Sequence, residues 1–344
     1  TRDWSSDVCS SDLALKVLTG EAIGDQESKQ KMEDRFLREA KLCSNLNHPN
    51  IVPVFGQGTD QGYSFYSMKR IDGTSIASII HRWRQDSVSK QSDPSWRSKS
   101  HWRQIARWLH DASDAVDFAH QNKILHRDIK PSNLMVDGYG KIWLCDFGLA
   151  KDLAAQVADG TSAGIGTVQY MSPEGLVGVS TEKSDVYGLG ITLYELLALI
   201  PKYQRDTPMN LYRRIMAEDS ARLEQLDPRI PRDLITITDK ATSFLPSRRY
   251  ASASELRDDL GRFLEGRPVL ARTTPFRDQC RRWIRNNQAL ATSLATTALF
   301  LILLTLLSTY FAIDSNWKTK RMESALKASD ASLLESRQIG RAHV

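Results

Sequence analysis

The stretch from Ala289 to Ile313 contains no charged residue and constrains the fold of this chain more than any other sequence feature. As a helix that rises about 1.5 Å per residue, it would measure roughly 37 Å, enough to cross the hydrocarbon core of a bilayer. The alternative is a helix buried in a soluble core, but few such helices stay uncharged over this length. The sequence therefore predicts one membrane-spanning helix preceded by a soluble part.

Basic residues concentrate just before this apolar stretch. The chain of 344 residues has a formal net charge of +5, and seven of its arginines crowd one short segment. This placement favours contact with a membrane surface over contact with nucleic acid, and a solvated basic linker is the plainer alternative. Basic residues also follow the stretch, so charge alone does not orient the helix. The residues on the two sides are Arg262, Arg267, Arg272, Arg277, Arg281, Arg282 and Arg285, then Lys318, Lys320 and Arg321.

The rest of the chain has the composition of a folded cytosolic domain, with 41% hydrophobic and 25% charged residues. The four cysteines, Cys9, Cys43, Cys145 and Cys280, have no paired spacing. They therefore indicate neither a disulfide framework nor a zinc site.

Strand-like patterns dominate up to Ile71 and helical patterns dominate after it. The runs LALKVL, IVPVFGQG and YSFYSMKRI have strand character, and a helical pattern from Lys31 to Leu46 interrupts them. We therefore expect an α+β protein in which a small mixed lobe precedes a larger helical lobe. The segment from about 82 to 103 is rich in serine and charge, which predicts an inserted surface loop.

A cluster of polar residues lies in ILHRDIKPSNLMV, between apolar pairs that anchor both of its ends. Pro131 prevents a continuous helix, so the segment is predicted to be a loop. Ten residues further on, IWLCDFGLA places Asp146 at the end of an apolar run. The polar residues of the loop are His126, Arg127, Asp128, Lys130 and Asn133.

These motifs, in this order, resemble those of the Hanks-type serine/threonine protein kinases over roughly Ala14 to Arg272. The resemblance implies a two-lobed kinase fold that uses ATP with Mg²⁺ (or Mn²⁺). By motif position, Asp128 would orient the substrate hydroxyl and accept its proton, and Lys130 would steady the γ-phosphate. Asn133 and Asp146 would bind the metal, as their hard oxygen atoms suit it.

The resemblance also identifies residues that would bind the nucleotide. Lys16 matches the strand lysine that contacts the α/β-phosphates and pairs with a helix glutamate. That glutamate would be Glu39, which helical spacing favours, and Glu33 is the rival on charge alone. Met68 occupies the gatekeeper position, and a hinge of Lys69, Arg70 and Ile71 would meet adenine through its backbone. Lys69 and Arg70 replace the more usual acidic and aromatic pair.

Further residues match the regulatory and structural positions of the family. In GIGTVQYMSPEG, Thr167 would lie against the catalytic loop. Glu174 would pair with Arg249, or with the adjacent Arg248, and Asp185 would accept hydrogen bonds from the catalytic-loop backbone. Arg127 would receive a phosphate added to the activation segment, for which Thr161 and Ser162 are the candidate sites.

One expected motif does not occur. The glycine-rich loop should precede Lys16, yet residues 1–13 contain no glycine. Either the protein is an unusual kinase or pseudokinase, or the chain is a fragment with non-native ends; we favour the fragment, because both ends look like translated adapter sequence.

The predicted segments are a non-native head (1–13), a kinase domain (14–271, with lobes 14–71 and 72–271), a basic juxtamembrane segment (272–288), a transmembrane helix (289–313), an extracytoplasmic stub (314–337) and a non-native tail (338–344).

The sequence thus predicts a receptor-type bacterial serine/threonine protein kinase with a cytoplasmic catalytic domain and protein substrates, and without a nucleic-acid partner. Small residues in the span, Ala291, Ala295 and Ala298, permit the approach of a second copy, so a homodimer is allowed. Two alternatives remain. One is a membrane-bound pseudokinase scaffold, and the other is a small-molecule kinase of related fold.

Overall fold

The computed structural model describes residues 12–18, 26–89, 97–147, 168–204, 206–272 and 288–342. The chain divides into two compact units, Thr1–Arg272 and Thr273–Val344. The first unit contains every element of the predicted soluble part, and the second contains one long helix.

The small lobe contains an antiparallel sheet of three strands in the order β1-β3-β2. These strands are β1 (Leu13–Val17), β2 (Val54–Asp60) and β3 (Tyr63–Lys69). Gln61 and Gly62, which join β2 to β3, both have positive φ angles, of 47° and 81°. A tight hairpin with two left-handed residues matches the right-handed twist of its strands.

One helix, α1 (Gln26–Cys43), covers this sheet. Phe36 and Ala40 on α1 pack against Tyr66 of β3, and all three side chains are buried. The rings of Phe36 and Tyr66 lie 5.1 Å apart. This packing joins α1 to the strand that leads into the predicted hinge.

A second antiparallel sheet, in the order β4-β5-β6, supports the polar loop found in the sequence. Its strands are β4 (Gly73–Ser75), β5 (Leu134–Asp137) and β6 (Ile142–Leu144). β5 begins directly after Asn133, and β6 ends two residues before Asp146. Because β5 and β6 are paired, these two residues lie at the same end of the sheet.

The large lobe is helical, with its core between α3, α4, α7 and α8. Short 3-10 turns occur at Pro131–Asn133, Gly175–Val177 and Pro246–Arg248. The helices are α2 (Ile76–Ser89), α3 (Lys99–Gln121), α4 (Glu182–Ala198), α5 (Pro208–Met216), α6 (Leu223–Leu226), α7 (Arg232–Ala241) and α8 (Ala253–Leu264).

Helix α4 is buried along almost its whole length, so its neighbours approach its backbone closely. A Cβ atom at Gly188 would lie 3.0 Å from Cβ of Ile129 in the polar loop. A Cβ atom at Gly190 would lie 2.7 Å from Cβ of Ala241 at the end of α7. The two glycines therefore set how closely the polar loop and α7 pack against α4.

The expectation of an α+β protein with a small mixed lobe and a helical lobe is confirmed. The prediction of a loop at about 82–103 is wrong at both ends, because α2 continues to Ser89 and α3 begins at Lys99. The residues between 90 and 96 lie outside the described part of the chain.

Packing explains why this serine-rich segment is helical at its ends. The ring of Trp83 stacks on that of Trp108, with centroids 6.0 Å apart. Arg84 Nε donates to the carbonyl oxygen of Leu199 at 2.6 Å, and Arg97 donates to that of Leu197. Both arginines thus satisfy carbonyls at the carboxyl end of α4, where cations are favourable.

The second unit contains helix α9 (Gln288–Ala342). Within it, the stretch Thr296–Met322 contains an 18-residue window that has a mean hydropathy of 2.0 and is not buried, so by length and composition this stretch could cross a membrane. The helix includes the predicted span and continues well past Ile313, through the predicted stub 314–337.

We predict that Gly190→Ala lowers the free energy of unfolding by about 1–3 kcal/mol, because the added methyl group has no room between α4 and α7. Gly261→Ala on α8 is the matched control, since its Cβ would lie 3.6 Å from the ring of His110. This control should leave stability unchanged or raise it by about 0.5–1 kcal/mol. Urea unfolding followed by tryptophan fluorescence measures both, and equal effects of the two substitutions would contradict the packing argument.

Candidate active site

The backbone of the polar loop is held by one buried carboxylate, that of Asp185 on α4. Asp185 Oδ2 accepts a hydrogen bond from the backbone N–H of His126, and Oδ1 accepts one from that of Arg127, both at 2.8 Å. Arg127 has a φ of 64°, a left-handed conformation that costs a residue with a side chain about 1–3 kcal/mol. The two hydrogen bonds therefore hold the loop in a conformation that it would not adopt alone.

Two histidines complete this support. His120 Nε2 on α3 lies 2.8 Å from Asp185 Oδ2, and both side chains are only 3% exposed. His126 Nδ1 accepts the backbone N–H of Asp128 at 3.2 Å, so its Nε2 donates to the carbonyl oxygen of Cys145 at 3.1 Å. Burial lowers the pKa of His126, although the carboxylates of Asp185 and Asp128 oppose the shift. The neutral ring therefore links the loop to the segment that carries Asp146.

Asp128, Lys130 and Asn133 form one contact group within the loop. The amide nitrogen of Asn133 donates to Asp128 Oδ2 at 3.0 Å and to the Asp128 carbonyl oxygen at 2.8 Å. Lys130 Nζ lies 3.0 Å from the same Oδ2 atom. The Asp128 side chain is 3% exposed. A nearly buried carboxylate with two defined neighbours can orient a hydroxyl group presented to it.

Asp146 lies against Lys16, which β1 contributes from the other lobe. Lys16 Nζ is 2.9 Å from Asp146 Oδ1, and both side chains are about one-third exposed. Asp146 has a φ of 59°, a second left-handed conformation at the site. The neighbouring backbone N–H of Cys145 donates to the carbonyl oxygen of Asn133 at 3.0 Å. The two halves of the group are therefore joined through the backbone.

The donor set fits a magnesium ion shared with phosphate groups. The Asn133 amide nitrogen is committed to Asp128, so the metal ligand would be the side-chain oxygen, which also accepts a hydrogen bond from the Ser132 hydroxyl at 3.3 Å. The Asp146 carboxylate already faces a cation, the ammonium group of Lys16. Among the described residues, no group of three His, Cys, Asp or Glu side chains could hold a metal ion. Mg²⁺ typically uses one or two protein oxygens and takes its other ligands from phosphates and water.

The predicted hinge leads from β3 towards the large lobe. Met68 packs beside Phe36, Ala40 and Tyr66 in the small-lobe cluster. The backbone N–H groups of Lys69 and Arg70 donate to the carbonyl oxygens of Pro53 and Asp12, at 3.0 and 2.8 Å.

The unusual lysine of the hinge contacts an aromatic ring of the large lobe. Lys69 Nζ lies 4.6 Å from the centroid of Trp143 on β6, and Ile71 is half-buried. The Lys69 side chain is therefore engaged with this ring, and the expectation that the hinge meets adenine through its backbone stays a prediction.

The two glutamates proposed as partners of Lys16 are both on α1. The side chain of Glu39 lies outside what the structure describes. The rival, Glu33, accepts a hydrogen bond from the hydroxyl group of Ser64 on β3. The assignment of Glu39 therefore stays a prediction.

The ion pair expected between Glu174 and Arg249 is present. The guanidinium donates to both carboxylate oxygens, at 2.7 and 2.8 Å, and the Arg249 side chain has no exposed surface. Its remaining hydrogen bonds reach the carbonyl oxygens of Ser243, Lys183 and Phe244. Burial opposes the ionisation of Glu174, but the hydrogen bonds and charge of Arg249 outweigh it and lower the pKa of Glu174. The adjacent Arg248 is exposed.

The activation segment falls largely outside the described residues. Thr161, Ser162 and Thr167 belong to residues 148–167, so their predicted roles stay predictions. The described residues resume at Val168, and Tyr170 donates to a carboxylate oxygen of Glu195 on α4 at 2.7 Å.

The family model for the protein kinase domain matches residues 10–259. The chain belongs to the protein kinase family. The match includes both lobes and every residue of the contact group described above.

Relatives of this kinase domain come from several bacteria. Serine/threonine-protein kinase PknB of Mycobacterium leprae is 35% identical over 263 residues, covering 75% of the chain and 39% of that protein. Serine/threonine-protein kinase PrkC of Bacillus subtilis is 30% identical over 250 residues, covering 72% of the chain and 36% of that protein. The chain thus spans less than two fifths of the length of either relative.

A solved structure shows the same fold. The crystal structure of a point variant of the Mycobacterium tuberculosis PknI kinase domain aligns with a TM-score of 0.53 and 24% identity. The alignment covers 72% of the chain and 84% of that structure. The two lobes described above are therefore those of the protein kinase fold, as the resemblance implied.

Sequence reasoning missed one residue of the kinase site and one contact. His120 was not singled out, although a histidine on the buried face of α3 six residues before His126 is a usable signal. The direct contact of Lys16 with Asp146 was not foreseen either, because it joins residues 130 positions apart.

We predict that Arg249→Lys lowers the free energy of unfolding by about 2–4 kcal/mol, because lysine cannot supply the five N–H donors and leaves Glu174 poorly paired. Arg248→Lys, at the adjacent exposed position, should change stability by less than about 0.5 kcal/mol. Chemical unfolding of the two variants side by side distinguishes them. A larger loss of stability in Arg248→Lys than in Arg249→Lys would show that Glu174 pairs with Arg248 instead.

Proposed function

We propose that the chain is a serine/threonine protein kinase that transfers the γ-phosphoryl group of ATP to serine and threonine hydroxyls of proteins. Two neighbouring sets of contacts carry the proposal. Lys16 contacts Asp146, and both Lys130 and Asn133 contact Asp128. Membership of the protein kinase family and the names of the bacterial relatives support it.

Asp128 is the residue that meets the acceptor. Its Oδ2 atom is positioned by Asn133 and Lys130, and its backbone N–H is held by His126. In the proposed reaction, this carboxylate orients the substrate hydroxyl and accepts its proton as the oxygen attacks phosphorus. Lys130 supplies a positive charge next to the attacking oxygen and the γ-phosphate.

ATP, the phosphate donor, would be bound by Lys16, Asp146 and Asn133. The ammonium group of Lys16, which lies against Asp146, would contact the α/β-phosphates of ATP. Asp146 and Asn133 would hold Mg²⁺, which when bound would neutralise negative charge on the phosphates of ATP. Met68 and the hinge residues Lys69, Arg70 and Ile71 would contact adenine. Glu39 would hold Lys16 in position from α1.

Two alternatives are less well supported. A pseudokinase scaffold has no need of Lys16, Asp128, Asn133 and Asp146 together, yet the structure links these residues through contacts and backbone hydrogen bonds. A small-molecule kinase of related fold has no need of the segment that ends at Glu174, yet the ion pair of Glu174 with Arg249 anchors this segment.

We also propose that the kinase is a single-pass membrane protein with receptor-type signalling. The apolar stretch Thr296–Met322 on α9 supports the anchor. ATP is cytosolic, so the kinase domain would be cytoplasmic and the residues after the span extracytoplasmic. Three of the seven arginines that precede the span contact residues of the kinase domain itself: Arg262 with Pro268, Arg267 with Glu265, and Arg272 with Asp233. The remaining four lie outside the described residues.

Regulation by phosphate is proposed at Thr161 or Ser162. Arg127, whose backbone is held by Asp185, would pair with the added phosphate and so couple the activation segment to the catalytic loop. Thr167 would lie next to the catalytic loop and contact the acceptor side of the site.

We predict that Asp128→Asn slows transfer of phosphate from ATP to dephosphorylated casein, and to the chain itself, by at least about 100-fold. The binding of a fluorescent ATP analogue should change by less than about threefold, because Asp128 faces the acceptor. Asp258→Asn, at an exposed position on α8, is the matched control and should have unchanged activity. Radiolabelled transfer and intact-mass analysis provide the readouts.

Two outcomes would count against the kinase proposal. Undiminished transfer by Asp128→Asn would remove this residue from the mechanism. Nucleotide binding without any transfer by the parent chain would favour the scaffold. A mass increase that maps to neither Thr161 nor Ser162 would reject these residues as phosphorylation sites.

We predict that the full chain floats with lipid vesicles and resists extraction at alkaline pH. The double substitution Leu303→Arg with Leu304→Arg should release it, because each central arginine costs about 2.5–3.5 kcal/mol in the span. Lys320→Arg keeps the charge near the helix end and should float as the parent does. Flotation of the double variant equal to the parent would indicate surface attachment in place of a span.

A further inference from the structure

The helical lobe contains a cleft of about 680 Å³ that shares no residue with the kinase site. It lies beside α6 and α7 and the segments that follow α4, α5 and α7. Its lining combines apolar side chains with charged residues of both signs. The polar residues that matter here are Lys202, Ser220, Arg222, Asp239, Thr242 and Arg248.

Lys202 is held at a defined position in this lining. Its Nζ atom donates to Thr242 Oγ1 at 2.7 Å, and that hydroxyl donates in turn to the carbonyl oxygen of Thr238 at 2.9 Å. Nζ also lies 5.8 and 6.0 Å from the ring centroids of Tyr194 and Tyr203. An amine fixed by one hydrogen bond and two rings is oriented for reaction, unlike a solvated surface lysine.

Burial makes the neutral form of the Lys202 amine more common than it is at an ordinary lysine. Burial lowers the pKa of Lys202 to about 8, although the carboxylates of Asp239 and Glu218 oppose the shift. At pH 7, about one amine in ten is then neutral, compared with about one in three thousand for an ordinary lysine. The neutral amine is the nucleophilic form. The other charged groups on the lining are Arg222, Glu224 and Arg248.

The same lining offers partners for a phosphate group and for a proton. Arg222 and Arg248 carry positive charge, and arginine binds phosphate oxygens in a bidentate manner. The hydroxyl groups of Ser220 and Ser243 add donors. The carboxylate of Asp239 is on the lining with Lys202 and can accept a proton.

We propose that Lys202 is an acylation site that accepts an acyl group from a small acyl phosphate bound in this cleft. The neutral amine of Lys202 attacks the acyl carbon, a C–N bond forms, and the C–O bond to phosphate breaks. Phosphate leaves with the electron pair of that bond, and the nitrogen releases its extra proton to Asp239 and then to solvent. The product is an uncharged amide at Lys202. The site does not depend on the kinase activity proposed above.

The test measures acetylation of the full chain by acetyl phosphate. After a timed reaction at pH 7, the protein is unfolded, the remaining lysines are acetylated with a heavy isotope, and occupancy is read by peptide mass spectrometry. Lys202 should react at least about tenfold faster than Lys99, an exposed lysine at the start of α3. Its rate should rise with pH and level off above about pH 8, whereas the rate at Lys99 continues to rise. Equal rates at the two lysines would overturn the proposal.

Recognition of the phosphate is tested separately with a neutral acyl donor. Arg222→Gln with Arg248→Gln should slow acetylation of Lys202 by acetyl phosphate at least about fivefold, and leave the reaction with p-nitrophenyl acetate unchanged. Arg213→Gln, an exposed position on α5, is the matched control and should change neither rate. Equal slowing with both donors, or no slowing with either, would overturn the acyl phosphate as the donor. Thermal unfolding of each variant verifies that the protein is folded.

Discussion

The buried carboxylate of Asp185 is the interaction on which the rest of the site depends. It binds two consecutive backbone N–H groups of the polar loop and a histidine of α3, with distances of 2.8 Å in each case. Arg127 would not hold a left-handed conformation without such support. Because Asp185 lies near the start of helix α4, the loop is attached to a helix that is buried along almost its whole length.

From that anchor, the rest of the site is assembled by short links. His126 connects the loop to the carbonyl of Cys145, and the N–H of Cys145 connects back to Asn133. Asp146 follows directly and meets Lys16 from the small lobe. This contact between the lobes is a salt bridge between two partly exposed side chains, which is weaker than the buried links beneath it. The side of the site around Asp128 is thus buried, whereas the side around Lys16 and Asp146 is partly exposed.

The sequence predicted some parts of this protein well and others poorly. The difference lies in whether a residue's partner could be identified from a motif or is a residue far away in the chain that no motif indicates. Asp185 and the pair of Glu174 with Arg249 were expected from their motifs, and the structure contains the contacts, whereas the roles of these residues in catalysis stay predictions. The loop expected at about 82–103 was wrong, because its helical ends are stabilised by Trp108 and by carbonyls at the end of α4, far away in the chain. Local composition could not reveal those partners.

What the sequence by itself determined is the set of chemically necessary groups and the existence of an apolar stretch long enough for a membrane. Residue type and spacing encode these, since a carboxylate, an amide or an uncharged helix keeps its chemistry in any fold. Only the tertiary structure decided which groups meet: that His120 shares Asp185 with the loop, and that Lys202 lies beside a cleft with two arginines. Burial and contact arise from packing between distant segments, and no local pattern in the chain specifies the distance between them.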